Sequence, residues 1–340
     1  MKKKNIIKKI SSNLAIGPMS SESIEAVFRY SHFHHKQLML IASKNQIDWK
    51  GGYVNNWTTR KYMDYIRQMK KSYPQADVLI CRDHCGPGFN GNHDLRDVYK
   101  TIEDDIENGF DLIHMDFCHF KGTYREQLKE SKKAIRYMLS IKPDILLEVG
   151  TDENVGTNYS LSNMDEIEKE IDFFKDFCKP DFYVVQTGSL VREMNQAGSF
   201  NKGFAKKASD LLKAKELKMK EHNDDYLTKK EIVSRSGIID AMNIAPQLGV
   251  IQTHFVLNKC LIYGIDFTEF IEVAYHENKW KKWLNKNGPE NKFLCSTIAG
   301  HYHFTSDAYK KIMNQLEERE DIHENIINTL MDLIDHYENK

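Results

Sequence analysis

The 340-residue chain lacks the cysteine pattern of a small secreted protein. Its six cysteines are scattered, and no two of them form a CxxC pair. A chain of this length can bury a sizeable core without covalent staples. The cysteine usage therefore argues against a disulfide scaffold and favours a protein of the reducing cytoplasm.

Long apolar runs are also missing. No stretch approaches the roughly 18 consecutive apolar residues of a membrane span. The chain begins with three lysines after Met1, but no apolar segment of signal-peptide length follows them. We expect a soluble cytoplasmic protein without a membrane partner.

A charge excess of either sign is absent as well. Lys and Arg number 48 against 49 Asp and Glu. A nucleic-acid-binding surface or an anionic-membrane patch normally requires a basic excess. We therefore expect no nucleic-acid partner, and the binding partner is a small molecule or another protein.

What the sequence does contain is an alternation of short apolar runs with longer segments of helical period. This alternation predicts βα units and a parallel sheet, and eight such units fit a closed (β/α)8 TIM barrel. The seventh candidate is the weakest, because its lysines are unusual in a buried strand. We expect the barrel over residues 1–266 and a helical extension packed on it over 267–340. The strand candidates are Asn13 to Ile16, Leu38 to Ala42, Val78 to Cys81, Leu112 to Met115, Ile145 to Val149, Phe182 to Gln186, Leu217 to Glu221 and Ile238 to Ile244.

The third strand candidate ends in an acid, an imidazole and a turn. Asp83 and His84 follow the apolar run, and Gly86 and Pro87 come directly after. Neighbouring side chains of a regular strand point to opposite faces, so both can serve one pocket only where the strand turns. Alternatively, the Asp-His pair merely orders a loop.

Polar residues gather at the carboxyl ends of the other predicted strands too. In a β/α barrel these ends meet at the active site. Carboxylates, amides and imidazoles together are typical of a site for a divalent metal and a sugar. The residues at these ends include Asn45, Gln46, Asp116, Glu148, Asp152, Gln186, Gly188, His222, Asp225 and Asn243.

Five short motifs resemble one known family. They are SKNQ at 43–46 with GGY at 51–53, DHCGP at 83–87, GF at 109–110 with HMD at 114–116, VVQTG at 184–188, and HNDDY at 222–226. They are similar, in the same order, to SNQ with GGY, DHLGP, GFxKIHxD, VVQPG and HSTDYQT of the non-catalytic subunit of class II tagatose-bisphosphate aldolase. That family is a branch of the zinc-dependent class II aldolases, which are TIM barrels, and some of its members are described as ketose-phosphate 4-epimerases.

The resemblance implies roles where residues match. His84 and His222 correspond to zinc ligands, and Asp83 to the acid/base beside them. The third histidine of catalytic class II aldolases falls near Gln186, which is a departure from the family pattern. Glu148 or Asp152 is then an alternative ligand, and we count both with Asp83 as candidate catalytic residues. The candidate substrate-binding residues are Asn45, Gln46, Asp116, Gln186, Gly188, Asp225 and Asn243.

A phosphorylated ketose also needs cationic donors. The candidates for binding a substrate phosphate are Arg82, Arg192 and Lys44. His301 and His303 belong to the extension, which could fold over the barrel mouth and contact a phosphate or a hydroxyl.

The functional hypotheses stay open at this point. The first is a zinc-dependent aldolase acting on the C3–C4 bond of a ketose, with a sugar or sugar phosphate as its small-molecule partner. The second is a ketose-phosphate 4-epimerase using the same site. The third is a non-catalytic subunit that stabilises a class II aldolase partner. We also expect a homo-oligomer, whose number of subunits the sequence does not set.

Overall fold

Eight parallel strands close into a barrel in the computed structural model, which describes residues 10–151, 163–285 and 288–339. Each strand pairs with its neighbour along the chain, and β8 pairs with β1. The predicted (β/α)8 barrel is therefore confirmed, and all eight strand candidates lie in it. The strands are β1 (Leu14–Ile16), β2 (Gln37–Ser43), β3 (Asp77–Cys85), β4 (Leu112–Met115), β5 (Leu146–Gly150), β6 (Phe182–Val184), β7 (Lys218–Glu221) and β8 (Ala241–Ile244).

Helices surround the barrel, and most begin at a side-chain cap. Ser20, Thr123 and Thr228, for example, each form a reciprocal capping box with the residue three positions later. The apolar faces of the helices pack on the outer face of the sheet in one continuous core. The helices are α1 (Ser21–His34), α2 (Thr59–Ser72), α3 (Leu95–Asn108), α4 (Tyr124–Ile141), α5 (Met164–Lys175), α6 (Lys202–Ala214), α7 (Lys229–Arg235) and α8 (Pro246–Tyr263).

The seventh strand is regular despite its lysines. Lys220 is fully buried, and its Nζ lies 2.7 Å from Oε2 of Glu148 on β5. Its ammonium also lies 5.6 Å from the ring centroid of Phe182. A buried charge is tolerated where it is paired, and this pairing explains why a lysine occupies a barrel strand.

A helical extension follows α8. Its last helix packs against α1 and α8 through an apolar stripe that includes Ile326, Leu330 and Ile334. The Tyr337 hydroxyl donates to the Asp224 carbonyl at 2.8 Å, which fixes this helix near the mouth of the barrel. None of the described helices is both long and apolar enough to cross a membrane. The extension comprises α9 (Thr268–His276), a 3-10 turn (Lys279–Lys282), α10 (Lys292–Ala299), a second 3-10 turn (Gly300–His303), α11 (Asp307–Glu317) and α12 (Ile322–Glu338).

Candidate active site

The carboxyl end of β3 turns at His84, two residues before the predicted break at Gly86. His84 has a left-handed φ of 47°, and the pairing of β3 with β4 shifts register between Arg82 and Cys85. Both Asp83 and His84 consequently line the same cavity. A Cβ atom on Gly86 would lie 1.5 Å from the Asp116 carbonyl oxygen, so only glycine permits this close approach of the two strand ends.

Three imidazoles meet at the mouth of the barrel. His84 lies on β3, His114 on β4, and His222 directly after β7. Their ring centroids are 5.1 Å apart for His84 and His114, 5.4 Å for His84 and His222, and 5.5 Å for His114 and His222. The barrel therefore assembles a three-histidine cluster from three separate strands.

The contacts of His114 locate a proton on one ring nitrogen and leave the other nitrogen among acceptors. Nε2 is 2.9 Å from the Gly150 carbonyl, which can only accept, so this nitrogen donates. In the neutral ring Nδ1 is then an acceptor, consistent with the His84 backbone N–H 3.4 Å away. Yet Oδ1 of Asp83 lies 3.0 Å and Oε1 of Glu148 3.5 Å from Nδ1. Nδ1 and the two carboxylate oxygens are all acceptors, so their close approach requires a proton or a cation between them.

Glu148 lies below the cavity and is fully buried. Its Oε2 contacts Lys220, and its Oε1 lies 3.3 Å from Nε2 of His222. Burial acts to raise the pKa of Glu148, but Lys220, His114 and His222 outweigh it and hold the pKa at about 2. Glu148 is therefore a carboxylate at neutral pH.

Asp116 orients His84. Its Oδ2 lies 2.9 Å from Nδ1 of His84 and also accepts from the Thr151 hydroxyl at 3.0 Å. Burial opposes ionisation, but the contact with His84 lowers the pKa of Asp116 to about 2, while Asp83 and Asp116 overcome burial to raise the pKa of His84 to about 9. A carboxylate on one ring nitrogen is the usual support of a histidine that ligates through the other.

Asp83 is the carboxylate that reaches the cavity. Burial acts to raise its pKa, but the positive charge of His84 and His222 and the contact with His114 hold that pKa well below its usual range. Asp83 is thus ionised at neutral pH and can accept a proton from a bound molecule.

Two overlapping groups of side chains could hold a metal ion. Donor atoms within 4.8 Å of one another come from Asp83, His114, Glu148 and His222 in one group, and from His84, His114 and Asp116 in the other. Imidazole and carboxylate donors suit zinc, and the opposed acceptors around His114 Nδ1 fit a cation between them. The predicted ligands His84 and His222 fall in different groups that share His114. In the sequence, the signal for His114 was its position at a strand end, two residues before Asp116.

A cavity of about 350 Å³ opens above these groups, a volume within the range of small-molecule sites. Four predicted substrate-binding residues line it, namely Asn45, Gln46, Asp225 and Asn243. Oδ1 of Asn243 is buried with no hydrogen-bond partner among the described residues, so it can bind a ligand.

The other three lining residues are partly committed to the protein itself. Asn45 donates to the Phe89 carbonyl at 2.6 Å. Gln46 accepts from the Ser43 backbone and donates to Pro18. Asp225 accepts from the backbone N–H groups of residues 245 and 247 and so caps α8, and burial raises its pKa to about 7. Their roles include fixing the loops around the cavity.

The remaining predicted site residues lie elsewhere. Within the described part of the chain, the cavity wall contains neither Gln186 nor Gly188, and Glu148 and Asp116 lie behind it. Asp152 lies outside the described residues. The place expected for a third histidine, on the β6 side, is occupied by a buried network in which Glu221 accepts from Thr187, Ser189 and Arg235.

The three predicted phosphate-binding cations differ in their surroundings. Arg82 is fully buried and paired bidentately with Asp105 at 2.7 Å, and Lys44 is buried against Asp97, so both stabilise the barrel wall. Arg192 lines the cavity, and no carboxylate of the described residues pairs with it. Of the three, Arg192 is placed to meet a ligand.

The extension folds over the barrel mouth and completes the cavity. Lys282, Trp283, His301 and Tyr302 form its outer wall. The Glu193 backbone N–H donates to the Trp283 carbonyl at 2.7 Å and ties this wall to the loop after β6. The Lys282 ammonium lies 4.6 Å from the Trp283 ring centroid and 5.3 Å from that of Tyr302. Of these four residues, the sequence pointed only to His301.

No family model matches the chain. Among solved structures, it is similar to a probable tagatose 6 phosphate kinase from Sinorhizobium meliloti, with a TM-score of 0.67 and 16% identity over 95% of this chain and 87% of that one. It is also similar to the fructose-bisphosphate aldolase of Campylobacter jejuni, with a TM-score of 0.56 and 13% identity over 92% and 93% of the two chains. The YdjI aldolase of Escherichia coli K12 gives 0.54 and 13% over 92% and 94%. The chain therefore has the fold of aldolase barrels, consistent with the resemblance seen in its motifs.

Proposed function

We propose that the protein is a metal-dependent enzyme that makes or breaks the C3–C4 bond of a phosphorylated ketose, as class II aldolases do. The observation that carries this proposal is the cluster of Asp83, His114, Glu148 and His222 at the mouth of the barrel. The aldolase fold of the neighbouring structures supports it. The ion we propose is Zn²⁺, because two or more imidazoles with carboxylates suit it.

The same residues allow the chemistry to be described. When bound, a divalent ion held by this cluster would supply Lewis-acid polarisation of the ketose carbonyl. Asp83 takes the proton of the C4 hydroxyl as the C3–C4 bond breaks, so that C4 becomes an aldehyde carbon and the bonding electrons remain on the C1–C3 fragment. In the reverse direction Asp83 returns that proton to the new hydroxyl. His84, held by Asp116, borders the same space.

A phosphate on the substrate is supported by the charges of the outer wall. Arg192 and Lys282 line the cavity, and neither forms an ion pair with a carboxylate of the described residues. Cationic donors without a protein counter-ion are suited to an anionic ligand group. We propose that they bind the phosphate at the end of the ketose distant from the histidine cluster.

A 4-epimerase is the second candidate, and one observation favours it. The 3-10 turns of the extension cover the mouth of the barrel, and Trp283 is tied to the loop after β6. A covered site can retain the aldehyde fragment after cleavage, so that it rotates and re-adds on its other face. Cleavage and epimerisation then differ only in how long the fragment is held.

The test is an NMR assay with zinc-loaded protein. Fructose and tagatose 6-phosphates and their 1,6-bisphosphates are incubated separately, with Asp83→Asn as the control. Triose products, absent in the control, support the aldolase, whereas the 4-epimer alone supports the epimerase. No conversion of any of the four would overturn the enzyme proposal and turn attention to a stabilising subunit for a class II aldolase partner.

A cytoplasmic location is also our proposal. Four of the six cysteines are buried inside the protein as thiols, namely Cys81, Cys85, Cys260 and Cys295. Buried thiols outside any disulfide are typical of a reducing compartment. Blocking with a thiol reagent in denaturant should modify six cysteines without prior reduction, and fewer would contradict this location.

A further inference from the structure

His301 is held against α8 by two glycines. A Cβ atom on Gly249 would lie 2.5 Å from Cβ of His301, and a Cβ atom on Gly300 would lie 2.6 Å from the Thr253 side chain. Glycine inside a helix costs roughly 0.5–1 kcal/mol relative to alanine. Packing explains the glycine at position 249. Without a side chain there, the turn Gly300–His303 can approach α8, and His301 reaches the cavity wall.

The two ring nitrogens of His301 have different surroundings. Nδ1 is buried with no hydrogen-bond partner among the described residues, and it would lie 3.0 Å from a Cβ atom on Gly249. Nε2 is not among the buried polar atoms of the described residues that lack a partner, and the His301 ring lines the cavity. Burial, together with Lys282 and His303, lowers the pKa of His301 to about 3, so the ring is neutral.

A neutral imidazole carries one N–H and one lone pair. An N–H buried without an acceptor is costly, because the donor loses its hydrogen bond to water. The proton is therefore favoured on Nε2, and Nδ1 keeps the unpaired lone pair. The ring is fixed in this orientation by Tyr302, whose centroid lies 4.1 Å from that of His301, and by Tyr53 at 5.8 Å.

We propose that His301 is a substrate-binding residue, which donates from Nε2–H to an oxygen of the bound ketose phosphate at the end covered by the extension. This inference rests on the proposed function, since it names a contact of the same substrate. It assigns the extension a direct part in recognising that substrate. His301 is a neutral donor beside the cationic Lys282, so it contacts the substrate without adding to the positive charge.

The test measures binding by calorimetry in an Asp83→Asn background, which prevents turnover. The probes are the 6-phosphates and 1,6-bisphosphates of fructose and tagatose. His301→Ala should weaken binding about tenfold, as expected for the loss of one hydrogen bond to a charged or desolvated oxygen. His301→Gln, whose amide reaches the Nε2 position, should recover most of the affinity, whereas His301→Asn, which reaches only the Nδ1 position, should not.

Two further variants separate the contact from general damage. Gly249→Ala should displace His301 and weaken binding as His301→Ala does, although it removes no polar group. His303 lines the adjoining cavity and not the one that His301 lines, so His303→Ala should leave the affinity within about twofold. Unchanged binding in His301→Ala would overturn this inference alone, whereas failure of the zinc-loaded wild type to bind or convert any probe would overturn the proposed function and this contact with it.

A measurement without ligand tests the tautomer. In protein labelled with ¹⁵N-histidine, the signals that disappear in His301→Ala should show protonation at Nε2 and a neutral ring at pH 7. Protonation at Nδ1, or an imidazolium ring, would overturn the inference whatever the binding experiments give.

Discussion

Nζ of Lys220 lies 2.7 Å from Oε2 of Glu148, and both side chains are completely buried inside the barrel. The other carboxylate oxygen of Glu148 faces His114 and His222. The lysine thus balances one negative charge directly beneath the proposed metal site. A metal ion bound between Oε1 of Glu148 and the histidines would neutralise the same carboxylate from the side opposite Lys220.

Lys220→Met should destabilise the metal-free protein by about 3–5 kcal/mol, because it leaves Oε2 of Glu148 buried without its cationic partner. Saturating Zn²⁺ should reduce this loss, since the ion would neutralise Glu148. Urea unfolding followed by tryptophan fluorescence, with and without Zn²⁺, measures both values. The double variant with Glu148→Gln is the matched control and should recover most of the metal-free stability; an equal loss with and without Zn²⁺ would contradict the account.

Asp83→Asn should lower kcat by at least about 100-fold, the usual lower range for removal of a general acid/base. The amide has nearly the same shape as the carboxylate but cannot accept the proton of the C4 hydroxyl. The fold should be retained, because the amide fills nearly the same space as the carboxylate, and circular dichroism of the two proteins checks this. A variant that retains wild-type turnover would remove Asp83 from the mechanism.

His323 links the extension to the barrel in a pH-dependent way. Nδ1 lies 2.7 Å from Glu22 on α1, and Nε2 lies 2.9 Å from Glu317 on α11. The hydrogen bond with Glu22, aided by Glu317, outweighs partial burial and raises the pKa of His323 to about 9. The unfolded chain should titrate near 6.5, so the folded protein holds the extra proton between these values.

The contribution of His323 should therefore be complete below about pH 6.5 and lost as the pH rises through 9. Because its side chain is half exposed, we expect His323→Gln to cost no more than about 1 kcal/mol at pH 6. Unfolding free energies of both proteins at pH 6, 8 and 10 give the comparison. A difference that grows towards pH 10 would have the wrong sign and would contradict this assignment.

The strands were predictable because each barrel strand has a local sequence pattern. Apolar runs of four to eight residues with turns after them identified all eight, and even the charged strand at Lys218–Glu221 was placed correctly. What the pattern could not explain was the lysine itself. Its partner Glu148 lies 72 positions away in the chain, and no local periodicity records such a pairing.

The site was predictable in part for the same reason. Asp83, His84 and His222 stand at strand ends, and the barrel brings those ends together. The central position of His114 depends on the distances between strands, and the contribution of His301 depends on how the extension folds back. The HMD motif places His114 at a strand end, but its central position in the cluster and the position of His301 in the cavity wall are consequences of tertiary packing.

The metal site can be tested by elemental mass spectrometry, which gives the amount of divalent metal bound per chain after incubation with Zn²⁺ and removal of the excess. We expect close to one ion per chain in the wild type, and a marked loss in both His114→Ala and His222→Ala. A wild type that retains no ion, or variants that retain as much as the wild type, would contradict the metal site on which the proposed chemistry depends.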